Sequence, residues 1–272
     1  MPMKLDRDIQ YPAHLHQDQW EKLKQFTDAR IALGRAGCSI PTQALLEFQL
    51  SHAQAQDAVY QNLNTAYLTE QLKDHSLQSF HVNSNAENKE TYLKRPDLGR
   101  QLSEHSKQML IEQSIDSQPY DVCIVVGDGL SARAIEANAI PFILSLNKYI
   151  QQEGWSLAPI VLATGSRVAL GDDVAQIFKA SMLVMLIGER PGLSSPDSMG
   201  IYYTWHAHTG CLDSARNCIS NVRPAGLSIP IATQRLMNLM KESKRLGLSG
   251  VDLKDEHQVP EFQHIDQPKL LF

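Results

Sequence analysis

Ser181-Met182-Leu183-Val184-Met185-Leu186-Ile187-Gly188-Glu189-Arg190-Pro191-Gly192 is apolar from Met182 to Ile187 and then stops abruptly in a glycine, two opposite charges, a proline and a second glycine. An apolar run of that length reads as a strand buried on both faces, the kind found inside a parallel sheet. The charged turn marks where the strand surfaces. In an open α/β sheet the carboxyl ends of strands are where ligands bind. Glu189 and Arg190 therefore sit at a rim, on a backbone bent by Pro191 and freed by Gly188 and Gly192. The plainer alternative is a solvated turn carrying a surface ion pair, with Arg190 bracing it.

Working outward, the same pattern repeats. Val122–Val126 is a β-branched run followed by Gly127-Asp128-Gly129-Leu130-Ser131, then a helix predicted over Ala132–Gln152 with Pro141 inside. Further strands are expected at Pro159–Ala163 and Ile201–Trp205, and helices at Asp172–Lys179 and Ala232–Arg245. Strands alternating with helices give an α/β fold built on a mostly parallel sheet with flanking helices. The chain before this lobe reads differently. Residues 1–26 form a polar, proline-bearing arm with a short helix around Asp18–Phe26. Residues 27–115 are mainly helical, with a helix at Thr42–Tyr60, a weak strand near Leu77–Val82 and a second helix opening at Arg95 and running to about Ile115. The lobe proper spans 116–246. The tail, 247–272, is polar and expected to be partly disordered.

Composition narrows the function. The 272 residues are 43% apolar and 20% charged, with a formal net charge of -5, ordinary for a globular protein. No basic block offers a cationic face to nucleic acid or an anionic membrane, and no apolar stretch reaches the length of a membrane span. The N-terminus lacks the apolar core of a secretory signal. The four cysteines, Cys38, Cys123, Cys211 and Cys218, contain no C-x-x-C pair and read as reduced thiols of a cytoplasmic protein.

Candidate motifs are sparse. Gly127-Asp128-Gly129-Leu130-Ser131 could admit an anion to backbone N–H groups at a helix start, or Asp128 or Ser131 could simply cap that helix. It lacks the third glycine of a dinucleotide fingerprint. His206 and His208 alternate as strand neighbours would, without the further ligands a metal site needs. Asp255-Glu256-His257 begins like a cobalamin-ligand motif but lacks the glycine that should follow. No nucleophile, base and orienter assemble.

Several blocks in order resemble the small subunit of ethanolamine ammonia-lyase: Asp28-Ala29-Arg30-Ile31-Ala32-Leu33-Gly34-Arg35-Ala36-Gly37, Pro41-Thr42-Gln43, Leu93-Lys94-Arg95-Pro96-Asp97-Leu98-Gly99-Arg100, Asp128-Gly129-Leu130-Ser131, Gly188-Glu189-Arg190-Pro191-Gly192-Leu193 and Cys218-Ile219-Ser220-Asn221. The resemblance covers about residues 27–246. It implies a Rossmann-like domain that shares adenosylcobalamin with a barrel-type large subunit, which holds ethanolamine and the catalytic residues. It implies cofactor contacts at Val168, Glu189 and Cys218, and no catalytic residue or metal ligand in this chain. It also implies a cytoplasmic enzyme, enclosed in a bacterial microcompartment where the host builds one. The N-terminal arm, set apart from the fold by polar, proline-bearing sequence and outside the resemblance, is expected to be a partner-docking or compartment-targeting segment. The residues alone leave open a stand-alone α/β enzyme or phosphate-ligand binder using the Asp128 turn.

Overall fold

The computed structural model describes residues 15–16, 18–115 and 118–254. They fall into two compact units, the described residues up to 56 together with 192–194, and those of 57–191 together with 195–254.

The first unit carries a two-residue antiparallel pair, β1 (Leu15–His16) with β2 (Arg35–Ala36), a 3-10 turn at Glu21–Phe26 where the short helix is expected, and most of helix α1 (Thr42–Tyr60). Within it, Arg30 stands over the Phe48 ring at 6.0 Å and its guanidinium donates to the Leu193 carbonyl at 3.5 Å.

The second unit is built on a six-stranded sheet, ordered β3 (Ser79–Asn83), β5 (Ile160–Thr164), β4 (Val122–Gly127), β6 (Met182–Gly188), β7 (Met199–Trp205), β8 (Arg216–Val222). The first four strands run parallel; β7 runs antiparallel to β6, and β8 antiparallel to β7. The sheet is therefore mixed and mostly parallel, as the alternation of elements predicts. β4 and β6 are buried at every position, which is why their sequences run apolar without alternation. Their side chains nonetheless divide by parity between two cores. Val122, Ile124 and Val126 join α2 (Thr65–Asp74), α5 (Ala132–Gln152) and α7 (Ile229–Leu246). Cys123 and Val125 join α4 (Glu104–Ser114) and α6 (Leu170–Ile177).

Four features depart from the sequence expectations. The weak strand near Leu77–Val82 is a full edge strand of the main sheet. The helix expected from Arg95 to Ile115 is two pieces, a 3-10 turn at Leu98–Arg100 and α4, and a separate short helix α3 (Lys89–Lys94) ends just before it. Pro96 disfavours helical backbone at Arg95, which sits at φ -126°, ψ 74°, and Ser103 restarts the helix by accepting from the Ser106 N–H at 3.3 Å. Strand β8 is absent from the sequence reading altogether. Finally, residues 247–254 are packed: Leu253 belongs to the α5/α7 core, and Asn217 donates to the carbonyls of Gly250 and Leu253 at 3.1 and 2.9 Å. The rest of the tail, the arm before Leu15 and the Asp255–His257 motif lie outside the described residues. No helix among the described residues is long and apolar enough to cross a membrane.

Candidate functional site

Because β4, β5 and β6 run parallel, their carboxyl ends Gly127, Thr164 and Gly188 lie at one edge of the sheet. The antiparallel turn adds the start of β7 and the end of β8 to that edge, through the pairings Gly188–Met199 and Met199–Val222. Glu189 occupies this meeting point. Its backbone N–H donates to the Ser198 carbonyl at 3.0 Å, and its carboxylate accepts from the Ser198 hydroxyl and from the Asn221 N–H, at 3.4 Å to Oε1 and 3.3 Å to Oε2. Asn221 adopts a left-handed conformation, φ 60°, unusual outside glycine and a recurring mark of functional sites. It is fixed there by the Leu227 N–H on its carbonyl and the Arg223 Nε on its side chain, both at 2.8 Å. An ionised carboxylate has about four acceptor positions, so Glu189, half-buried, keeps acceptor capacity while its orientation is set. Arg190 is exposed and forms no salt bridge among the described residues. Ser198 and Asn221 do the bracing expected of Arg190.

Gly188 is what lets the turn close. A Cβ there would fall on the backbone carbonyl oxygens of Ser131 and Asp128, which cannot swing away as a side chain could. Gly188→Ala is expected to cost about 1–3 kcal/mol, the range for overpacking a tight interior, read as a lower urea midpoint at unchanged slope. An unaltered midpoint would show that this contact is not tight.

Cys218 lies mid-strand on β8, opposite Tyr202 of β7. Their side chains influence each other's titration, and both sense the charge of Glu189. Burial pushes the Tyr202 hydroxyl up to about 12, with Cys218 and Glu189 adding to the rise. Burial also pushes the Cys218 thiol up; Tyr202 opposes this and Glu189 reinforces it. Cys218 is exposed and borders a cavity of about 220 Å³ between β8 and α7, shared with Asn217, Ser220 and Arg235. Glu189, Tyr202 and Cys218 thus form one electrostatically connected group.

Val168 lies in the loop after β5, half-buried, and packs with Tyr202 against the α4/α6 core. Beside it, Arg167 lies over the Tyr92 ring at 4.3 Å and the Tyr92 hydroxyl donates to the Ser166 carbonyl at 3.0 Å.

The Asp128 turn has its own partners. The Asp128 carboxylate accepts from the Ser166 N–H at 2.9 Å and lies 3.7 Å from the Lys89 ammonium; burial pushes it up, against the pull of Lys89 and the amides of Ser166, Gly165 and Gly129. The Leu130 N–H donates to the Gly188 carbonyl at 2.9 Å, and the Ser131 N–H to the Asp128 carbonyl at 3.2 Å. Ser131 caps α5 through the Ala134 N–H at 3.2 Å. The amides of Asp128, Leu130 and Ser131 are taken by protein carbonyls and that of Ala134 by the Ser131 cap, so the turn braces the rim. His208 meets Cys211 at 3.3 Å, but no group of three or more metal-ligating side chains exists among the described residues.

A family model described as "Ethanolamine ammonia-lyase light chain (EutC)" matches residues 17–254. The chain belongs to that family. It is similar to the ethanolamine ammonia-lyase small subunit of Pseudomonas fluorescens strain Pf0-1, at 50% identity over 245 residues and 89% of both chains. The small subunit of strain SBW25 is 48% identical over 258 residues, covering 94% of this chain and 93% of the relative. That of Pseudomonas aeruginosa PAO1 is 48% identical over 254 residues, 93% of each. Membership makes the chain a component of a carbon–nitrogen lyase. The match also reaches past residues 27–246 at both ends.

For a light chain, the rim contains more than the residues singled out from sequence. Ser198, Asn221 and Tyr202 hold or touch Glu189 and Cys218; Ser198 lies 9 residues and Asn221 32 residues from Glu189, although Asn221 closes the block that begins at Cys218. A trace of Ser198 and Asn221 exists: each is a small polar residue at the boundary of a strand, on the edge where Glu189 emerges.

Proposed function

We propose that this chain forms one side of the adenosylcobalamin seat of ethanolamine ammonia-lyase, with the large subunit forming the other side and holding ethanolamine. The observation that carries the reading is Glu189, an acceptor held by two donors at the sheet edge with acceptor capacity left. The edge of a corrin carries amide N–H donors, which suit a fixed carboxylate; a charge-assisted hydrogen bond is worth about 1.5–3 kcal/mol. Val168 supplies aliphatic contact, and Cys218 supplies backbone and packing on the flank. When bound, the cofactor supplies the radical that opens the reaction. The chain's own part is to fix acceptors and exclude water; no nucleophile or base of this chain takes part. Cytoplasmic placement, inside a microcompartment where one is built, belongs to the same reading.

Co-expression with the large subunit tests it. The complex is expected to bind cobalamin and release acetaldehyde from ethanolamine, and neither chain alone to do so. Full activity of the large subunit alone overturns the proposal. A second measurement addresses the flank. With its thiol pushed up, Cys218 carries less thiolate at neutral pH than a free cysteine. Its alkylation, located by peptide mapping, should be slow at pH 7, rise steeply above pH 9 and slow further when cobalamin fills the complex. Equal labelling with and without cobalamin removes Cys218 from the contact set.

A further inference from the structure

From residue 18 to residue 56 no side chain is buried. Yet this stretch holds nine large apolar residues classed as exposed. The most open are Trp20 at 67%, Phe26 at 62%, Leu50 at 60%, Leu46 at 58% and Ile40 at 52%. Regular structure without a core of its own does not offset the entropy of ordering it. Scattered exposed apolar residues are ordinary; a contiguous run of this density marks an interaction surface. With about half of each side chain open and ~200 Å² for a large apolar residue, the nine present on the order of 900 Å², against roughly 800 Å² given by each partner to a specific interface of standard size.

We infer that residues 20–50 are a clasp that seats on the large subunit, an inference that rests on the proposed two-subunit function. Three observations select that occupant. The family match begins at residue 17, so the coreless stretch is part of what defines a light chain. The area suits one specific protein partner. The charges of residues 18–56 balance, Asp18, Glu21, Asp28 and Glu47 against Lys22, Lys24, Arg30 and Arg35, so neither an anionic lipid surface nor a polyanion is favoured. On α1, between Thr42 and Gln56, Leu46 and Leu50 stand one turn apart and are the most exposed apolar residues, ahead of Leu45 and Phe48.

The test uses the full chain and the co-expressed large subunit. Leu46→Glu with Leu50→Glu should weaken association at least tenfold by sedimentation, while the urea midpoint of the chain alone stays unchanged. Hydrogen exchange of amides 20–50 should slow when the wild-type complex forms. Unchanged affinity of the double variant overturns the clasp, as does unprotected exchange in the complex. So does a wild-type chain that dimerises through these residues while its double variant still binds the large subunit normally. Failure of the wild-type chain to bind the large subunit at all overturns the two-subunit reading and the clasp with it, and is told apart by the wild-type arm alone.

Discussion

Asp172→Ala is expected to destabilise the chain by about 3–5 kcal/mol, the cost of breaking a buried ion pair from one side. Arg216 and Asp172 have side chains only 2% exposed and form a two-pronged pair at 2.6 and 2.7 Å. Arg216 also donates to the Cys211 carbonyl at 3.1 Å and to Asp213 at 3.3 Å. A guanidinium cannot discharge to escape burial, so losing Asp172 leaves a buried charge with only the exposed Asp213 carboxylate as its counter-ion. The pair ties β8 to α6 across the end of the sheet, two residues from Cys218. Urea unfolding gives the value; a loss under about 1 kcal/mol would place the pair among weak surface bridges. A decisive control is Asp172→Leu with Arg216→Met. Apolar replacement of a whole buried pair is often neutral or stabilising, so the double variant should return to within about 1 kcal/mol of the parent. If it stays as unstable as the single variant, the charges are not the cause.

Glu189→Ala in the assembled complex is expected to weaken cobalamin binding tenfold or more, each factor of ten being about 1.4 kcal/mol. The loss should appear in binding and leave the fold largely intact, because Glu189 is half-buried and Asn221 exposed, so that only the buried Ser198 hydroxyl loses an acceptor away from water. Glu189→Gln separates acceptor from shape: the amide keeps the size but turns one oxygen into a donor, so binding should fall nearly as far. Ser198→Ala should give a smaller loss, since it loosens the carboxylate and leaves it present. Unchanged cobalamin affinity in Glu189→Ala rejects Glu189 as a contact.

What the sequence disclosed follows a physical rule. Helix α5 and strands β4 and β6 are legible because burial or capping is written into contiguous residues: Val122–Val126 and Met182–Ile187 have no polar member, and Ser131 opens α5, while α1 is legible from Pro41 at its start. β8 is illegible because Arg216–Val222 reads Arg-Asn-Cys-Ile-Ser-Asn-Val. Only Arg216, Ile219 and Val222 are buried in it, and the arginine is satisfied by a carboxylate 44 residues earlier. Pattern cannot see a partner that far away. The packed residues 247–254 escaped for the same reason, since Asn217 fixes them from the sheet. At the rim, Glu189 stood out because it ends an apolar strand, whereas Ser198 and Asn221 act 9 and 32 residues away.

The reversal of strand direction after β6 has one more consequence. A parallel continuation would have had to return by way of a helix laid over the sheet. On one face α5 and α7 reach across to β7 and β8, but on the other α4 and α6 lie over β3, β4 and β6, and the hairpin brings no helix of its own. Tyr202 and Cys218 are left half-buried and exposed respectively. On the proposed reading a flat, broad ligand would use that open ground, which arises because the chain doubles back without building upward.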